Sequence, residues 1–419
     1  MPRLLRAIFA CLVTQCAASR LPPRLGVLRA GQSESAAEPE LNEALYSRQL
    51  YVLGHAAQQS LAKSSVLVLG LSGLGAELAK NLALAGIKEL HVHDDAPATL
   101  HDLATSFLLT EADVSAPRAA RAVEQLAPLN PHVEVRRLEG PVDATTLEAH
   151  GYTCVVAVDQ TLETQLALNE AARAAGVRFV SCSSRGVFGS LFADLGETFT
   201  ATDADGEPVR EALLQSVAED AEGHVVVSTV LEQPHGLSDG DCVRFAELQG
   251  APALCEEGRD FSVQVTSRHS FVLSPALPPG LGGAPYVSGG RLVQVKTSQE
   301  HKFVPLCEAV PQGCTADARE ALAQMPVGSP PRRAATVHAC FCSIDAALAA
   351  TAAATEGSSP PQLGEALLEA VRSSGLLPQD KVDEALVAAF AHGAHGSLSP
   401  VAAFVGGAAA QEVLAMAQL

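Results

Sequence analysis

The chain has 419 residues, 47% of them hydrophobic, which is enough for two or three domains with their own cores. Its formal net charge of −19 argues against a nucleic-acid partner. The ten cysteines include no CxxC pair, and no uninterrupted run reaches the roughly 18–20 apolar residues of a membrane span; both point to buried thiols in a reducing compartment rather than a zinc ribbon, a disulfide framework or a spanning helix.

Residues 1–43 stand apart as a leader. Its first 33 residues carry Arg3, Arg6, Arg20, Arg24 and Arg29 and no acid, with a short apolar stretch from Ala7 to Val13. Two readings stay open: a signal peptide followed by a transit-like segment, or a disordered extension. Next come Leu50, Leu53 and Leu61, which anchor a helix ahead of the first strand, with Arg48 just before that helix.

The segment Ser65 to Asp95 organises the chain. Val66–Leu69 is a short apolar run, as in a buried parallel strand. Gly70, Gly73 and Gly75 follow in a GxxGxG turn, with Leu74, Leu78 and Leu82 at helical spacing. A second strand, Leu90–His93, ends in Asp94, 24 residues after Gly70, about where nucleotide folds of this type place a ribose-binding carboxylate. Glycines there allow a tight turn and close approach of a phosphate to a helix N-terminus. The spacing differs from the dinucleotide fingerprint GxGxxG, which weighs against NAD and against an oxidoreductase. A nucleotide-type fold with an empty site is equally compatible with the turn alone.

Beyond Asp94 the chain is irregular as far as Val114. A helix capped by Ser115 with Pro117 in its first turn then runs to Ala127. Strands at Val133–Leu138, Thr153–Val158 and Arg178–Cys182 alternate with a helix at Glu163–Ala175, so a mostly parallel sheet covered on both faces is expected over 44–200. From 201 to 300 the period changes to short strands separated by turns such as Asp205-Gly206 and Asp239-Gly240, which indicates an inserted small β-barrel domain. Residues 301–395 are Ala/Leu-rich and helical, broken at Gly328–Pro331 and Gly357–Pro361. Residues 396–419 form a return helix starting at Ser399-Pro400. Its Gly406-Gly407 pair costs roughly 1 kcal/mol per glycine unless close packing requires it.

Several ordered segments together resemble the start of the eukaryotic ubiquitin-activating enzyme family. They are Tyr46–His55, Ser64–Asn81, His93-Asp94, Arg185–Phe192, His235–Asp241 with Glu247–Gly250, Gly289–Lys296 and Pro400–Glu412, and the match runs from about 44 to 416. The resemblance implies a Rossmann-like ThiF-type adenylation domain carrying an inserted β-barrel and a helical bundle. In that family two such domains pair. The active one binds ATP and magnesium, adenylates the C-terminus of ubiquitin and passes it to a separate catalytic cysteine. The other is a structural partner, and this sequence resembles the second kind. Active members follow the ribose Asp with Asn-Arg-Gln and a Lys, whereas residues 95–116 contain no Arg and no Lys; they carry Asp-Asn-x-Asp-Ala-Arg after the later strand, where this chain reads Asp159-Gln-Thr-Leu-Glu163. Adenylation needs cations for the departing pyrophosphate.

The resemblance therefore implies an inactive half with Gly70, Gly73, Gly75 and Asp94 as a vestigial nucleotide pocket, no certain cofactor and no metal site of its own. ATP and Mg belong to a partner half, and Arg48 is the one catalytic residue carried over, reaching the ATP of that partner. The expected partners are the active adenylation and catalytic-cysteine half and ubiquitin or a ubiquitin-like protein. A binding scaffold for such a protein is the alternative. Asp159 and Glu163 read as a strand end and helix cap before a metal pair, Cys314-Thr315 departs from the family's nucleophile motif, and His392 and His395 read as loop residues. The family's chain continues into its active half, whereas this sequence stops at Leu419; a split or truncated enzyme is the expectation. Cytoplasm or nucleus is the family's location, with a plastid-associated organelle as the alternative through residues 1–33.

Overall fold

The computed structural model describes residues 42–201, 209–256, 258–275, 281, 284–312, 330–352 and 362–418. Nearly all of the leader, the Asp205-Gly206 turn, Cys314-Thr315 and Gly357–Pro361 lie outside the described residues.

Two apolar runs, β1 (Ser65–Leu69) and β4 (Cys154–Val158), are buried at every position and form the centre of a six-stranded sheet. The flanking strands are β2 (Glu89–His93), β3 (Glu134–Arg137), β5 (Arg178–Arg185) and β6 (Phe188–Asp194). The order is β3-β2-β1-β4-β5-β6, parallel except for the β5–β6 pair. Continuous apolar runs suit strands covered on both faces. The order reverses between β1 and β4, so the crevice beyond the carboxyl ends of these two strands is where such sheets hold ligands.

Two helices, α1 (Glu43–Leu53) and α2 (His55–Leu61), precede the sheet and are separated by Gly54 at φ 82°. Arg48 lies inside α1 rather than before the helix, because the chain is helical from Glu43 under an Asn42 cap. α3 (Gly73–Ala85) follows β1. Its Leu74, Leu78 and Leu82 are fully buried, each contributing about 2 kcal/mol of apolar burial. α4 (Arg118–Leu126) is capped by the backbone of Pro117, not by the Ser115 side chain; Ser115 sits at φ 76°. α5 (Ala144–His150) is a short helix that the sequence pattern did not show, and α6 (Leu162–Ala174) covers the far face.

The chain leaves this domain through β7 (Phe199–Ala201) and returns through β14 (Gln299–His301), which pair antiparallel as a two-stranded stalk. Between them, β8 (Glu211–Glu219), β9 (Val225–Thr229), β10 (Cys242–Gly250), β11 (Phe261–Ser267), β12 (Ser270–Ser274) and β13 (Tyr286–Val295) close a barrel. The sequence pattern missed β8, yet the barrel closes through it. The returning chain is pinned by one buried network. Asp194 accepts from Arg173 Nε at 2.7 Å and from Asn169 Nδ2 at 2.7 Å, while Arg173 donates to the Phe303 carbonyl and Asn169 accepts from the Leu306 N–H.

After α7 (Leu306–Gln312), helices α8 (Pro330–Ala352), α9 (Leu363–Ser373) and α10 (Glu384–Gly393) share a core around Val337, Leu367, Val371 and Phe390. α11 (Ser399–Gln418) returns to the sheet and packs on α3. Gly406 explains itself: a Cβ there would lie 3.1–3.2 Å from Glu77 Cβ, the Leu74 carbonyl and Leu78 N. Nothing lies within 4 Å of a Cβ at Gly407, so packing does not explain that glycine. By length and composition alone, Arg333–Ala352 and Ser399–Ala417 are long and apolar enough to cross a membrane. Both bury a face in the protein's own cores, through Val337 and Ile344 and through Val405 and Val413.

Candidate functional site

The crevice between the ends of β1 and β4 is built by the glycine turn. Gly70 sits at φ 95°, and a Cβ there would meet the Val158 carbonyl at 2.2 Å; one at Gly75 would meet the Gly70 carbonyl at 2.1 Å. These two glycines seat the turn and α3 against β4. Gly73 is different in kind. A Cβ there would meet Thr105 Oγ1 at 2.3 Å, so the space it leaves open is filled by a side chain of the protein's own 102–105 turn.

The carboxylates of the crevice are also engaged internally. Asp94, at the end of β2, accepts from the Leu71 N–H at 2.7 Å and from the Ala96 N–H at 3.0 Å. Arg118 Nε lies 3.0 Å from Asp94 Oδ2 outside hydrogen-bond alignment, Arg118 Nη2 donates to Asp94 Oδ1 at 3.4 Å, and Arg118 Nη1 donates to Asp102 Oδ1 at 3.1 Å. Asp159 ends β4 at φ 51° and accepts from Ser72 Oγ at 2.6 Å and from the Ser184 N–H at 2.8 Å. The residue keeps partial exposure, but its carboxylate is surrounded by protein, and that burial raises its pKa above the usual carboxylate value. Ser72 is the N-cap residue of α3 and makes no cap hydrogen bond, since its hydroxyl is committed to Asp159.

A family model for the ThiF family matches residues 46–418. The chain belongs to the ThiF family. It is 34% identical over 387 residues to "Ubiquitin-activating enzyme E1 1" of Candida albicans, covering 91% of this chain and 36% of that protein. It is also 34% identical over 410 residues to the human "Ubiquitin-like modifier-activating enzyme 1", covering 96% of this chain and 37% of that protein. The chain thus spans little more than a third of the length of these curated relatives. Among solved structures it is similar to Escherichia coli MccB bound to succinimide, at 22% identity and a TM-score of 0.32, covering 36% of this chain and 48% of that one.

The structure places the crevice residues singled out in the sequence as follows. Gly70, Gly73, Gly75 and Asp94 do converge at one strand-end crevice. The stretch 95–116 supplies no Arg or Lys, but Arg118, two residues beyond it, reaches back to Asp94. Neither Arg118 nor Thr105 was singled out in the sequence: Thr105 lies in the irregular stretch after β2, and the path of that stretch decides where α4 places Arg118. Asp159 and Glu163 do not form a pair: Asp159 is spent on Ser72 and Ser184, and Glu163 is exposed on α6. The ATP and magnesium implied by the family do not fit the crevice as folded. Thr105 fills the space at Gly73, Asp94 is already paired with Arg118 and two backbone N–H groups, and Asp159 already accepts from Ser72 and the Ser184 N–H.

Arg48 lies elsewhere, on the outer face of α1. It is exposed, and among the described residues it makes no ion pair. Leu45, Tyr51 and Val52 flank it, with relative exposures of 52%, 83% and 42%. His392 lies in the last turn of α10 rather than in a loop, while His395 is in the following link; both are exposed.

Among the described residues seven cysteines lie outside any disulfide, and three of them, Cys154, Cys182 and Cys340, are buried. Burial pushes the Cys154 thiol up to about 12, so it stays protonated and inert.

Proposed function

We propose that this chain is the non-catalytic adenylation-type half of a system that activates ubiquitin or a ubiquitin-like protein, with ATP and magnesium held by a separate active half that also carries the catalytic cysteine. The observation that carries the reading is the internal engagement of Asp94 and Asp159, the two carboxylates placed to serve a nucleotide and its metal. Arg48 supports it from the opposite direction, as an exposed guanidinium on an apolar-flanked face that makes no ion pair among the described residues.

In the reaction, a carboxylate oxygen of the modifier's C-terminus attacks the α-phosphorus of ATP, the bond to the β-phosphate's bridging oxygen breaks, and pyrophosphate leaves with the added charge. A guanidinium placed against those oxygens stabilises the charge as it develops and offers two donors in fixed geometry. Arg48 supplies that group across the interface between the halves.

ATP–pyrophosphate exchange tests the reading. The chain alone gives no exchange. The chain mixed with an active half gives modifier-dependent exchange, and Arg48→Ala in that mixture lowers it. Exchange by the chain alone overturns the proposal.

A second reading, a binding scaffold without an enzymatic role, draws on the barrel, where Leu213 and Leu231 stand 56% and 71% exposed on neighbouring strand and turn positions. Capture of ubiquitin by the chain, with no stimulation of exchange by an active half, decides for the scaffold.

A further inference from the structure

Thr105 does more than fill space at Gly73. The 102–105 turn that carries it is held on two sides. On one side Arg118 bridges Asp94 at the end of β2 and Asp102 at the start of the turn, with contacts of 3.0 and 3.1 Å. On the other side the link from α10 to α11 reaches in: Ser397 Oγ donates to Thr105 Oγ1 at 3.2 Å, and Ser399 Oγ donates to the Ala104 carbonyl at 3.2 Å. The same link is tied to the β5–β6 turn by the Gly186 N–H, which donates to the Gly396 carbonyl at 2.8 Å. A Cβ at Gly186 would meet the Gly393 carbonyl at 2.9 Å, so this junction is tight backbone to backbone.

We propose that the 102–105 turn is a latch over the glycine cradle: Thr105 stands where a nucleotide phosphate would meet Gly73, and the link between the helical bundle and α11 holds it there. The cradle is then shut rather than dismantled. Its glycines, a carboxylate on β2 and a cation beside it are all present, and a single side chain at Gly73 keeps phosphate out. The latch also makes the state of the crevice depend on the position of the bundle, because a shift of the 393–399 link withdraws Ser397 and Ser399 from the turn. The consequence for activity is a division of labour, in which this half does not compete with an active half for adenine nucleotide. This inference rests on the crevice being an adenylation-type cradle and not on the partner reading, and the two fail separately: the latch is tested on the chain alone, the partner reading in the exchange mixture.

The test is fluorescent ATP (the N-methylanthraniloyl derivative) titrated into the full chain, with and without magnesium. Wild type and Thr105→Ser, which keeps both Cβ and Oγ, give no saturable binding. Thr105→Gly combined with Ser397→Ala gives saturable binding that wild type lacks, competed by unlabelled ATP. Equal binding by wild type and the double variant overturns the proposal, as does a folded double variant that binds nothing. A second measurement does not depend on ligand. Gly73→Ala lowers the melting temperature of wild type because its methyl group meets Thr105, and the loss is at least halved in the Thr105→Gly background. An equal loss in both backgrounds overturns the latch.

Discussion

The strand-end crevice and the outer face of α1 treat their charged groups in opposite ways. In the crevice three charged groups have partners from the chain: Asp94 has Arg118 and two N–H groups, Asp159 has Ser72 and Ser184, and Arg118 has two carboxylates. On α1, Arg48 stands exposed between apolar side chains that are exposed as well. Groups already paired at short range gain less from a ligand than an unpaired group does. An unpaired guanidinium on an apolar face gains most when a second surface excludes water around it. The comparison sets an exposed cation at α1 against paired charges at the glycine turn, the motif that draws attention in the sequence.

The comparison is first sharpened at Gly75, where the largest effect is expected. A methyl group there meets the Gly70 carbonyl at 2.1 Å, a backbone atom that cannot swing aside. Gly75→Ala is expected to cost about 3 kcal/mol in urea unfolding, because overpacking at a rigid contact shifts α3 against β4. A cost below about 1 kcal/mol shows that the turn is soft and that the glycines are there for a ligand instead.

On the opposite side of the comparison, Arg48→Ala is expected to leave the melting temperature of the chain within the scatter of surface substitutions, and to lower exchange in the presence of an active half by about a hundredfold, or roughly 2.7 kcal/mol. Arg48→Lys retains part of that activity, since a point charge replaces a fork. An unchanged exchange rate breaks the comparison at its more interesting end.

Tyr46 gives a smaller effect and a control for the α1 side. Its hydroxyl accepts from Asn130 Nδ2 at 2.9 Å, and Asn130 also donates to the Ala83 carbonyl, so Tyr46 moors α1 to the end of α3. Tyr46→Phe is expected to cost about 1 kcal/mol, the net worth of one hydrogen bond. If it also lowers exchange with an active half, the placement of α1 matters as well as its charge.

The parallel sheet was legible because β1 and β4 are continuous apolar runs and Leu74, Leu78 and Leu82 repeat at helical spacing. The barrel was legible except for β8, whose inward positions Ala212, Leu214 and Val217 alternate imperfectly with a broad set of polar outward residues. The candidate site was legible only at its rigid parts. Glycines and strand-end acids keep fixed offsets from a strand, so Gly70, Gly73, Gly75 and Asp94 were found. Arg118 and Thr105 act through the path of a long turn, and Ser397 reaches the same place from 292 residues further along the chain. No local pattern encodes such a meeting. The family resemblance carried the functional reading further than the residue pattern did, and the chain's membership of the ThiF family agrees with the family assignment.

The smallest expected effect lies at Asp159, and it bears on whether the crevice has kept any capacity for metal. Burial holds its pKa above the ordinary value of 3.8, against the opposing pull of Ser72 and the Ser184 N–H. A raised carboxyl contributes stability that is fully present below the unfolded value and is lost as pH rises through the folded one. Asn fits the same place. Its oxygen accepts the Ser184 N–H, the Ser72 hydroxyl turns to accept from its amide, and Asn tolerates the φ of 51° better than most residues. Asp159→Asn is therefore expected to melt close to wild type at pH 4 and above it at pH 7, with the difference growing as pH rises between them. Magnesium changes neither curve if Asp159 is only a strand-end anchor. A magnesium-dependent rise in wild-type melting temperature, lost in Asp159→Asn, marks the carboxylate as a ligand and returns the crevice to the list of working sites.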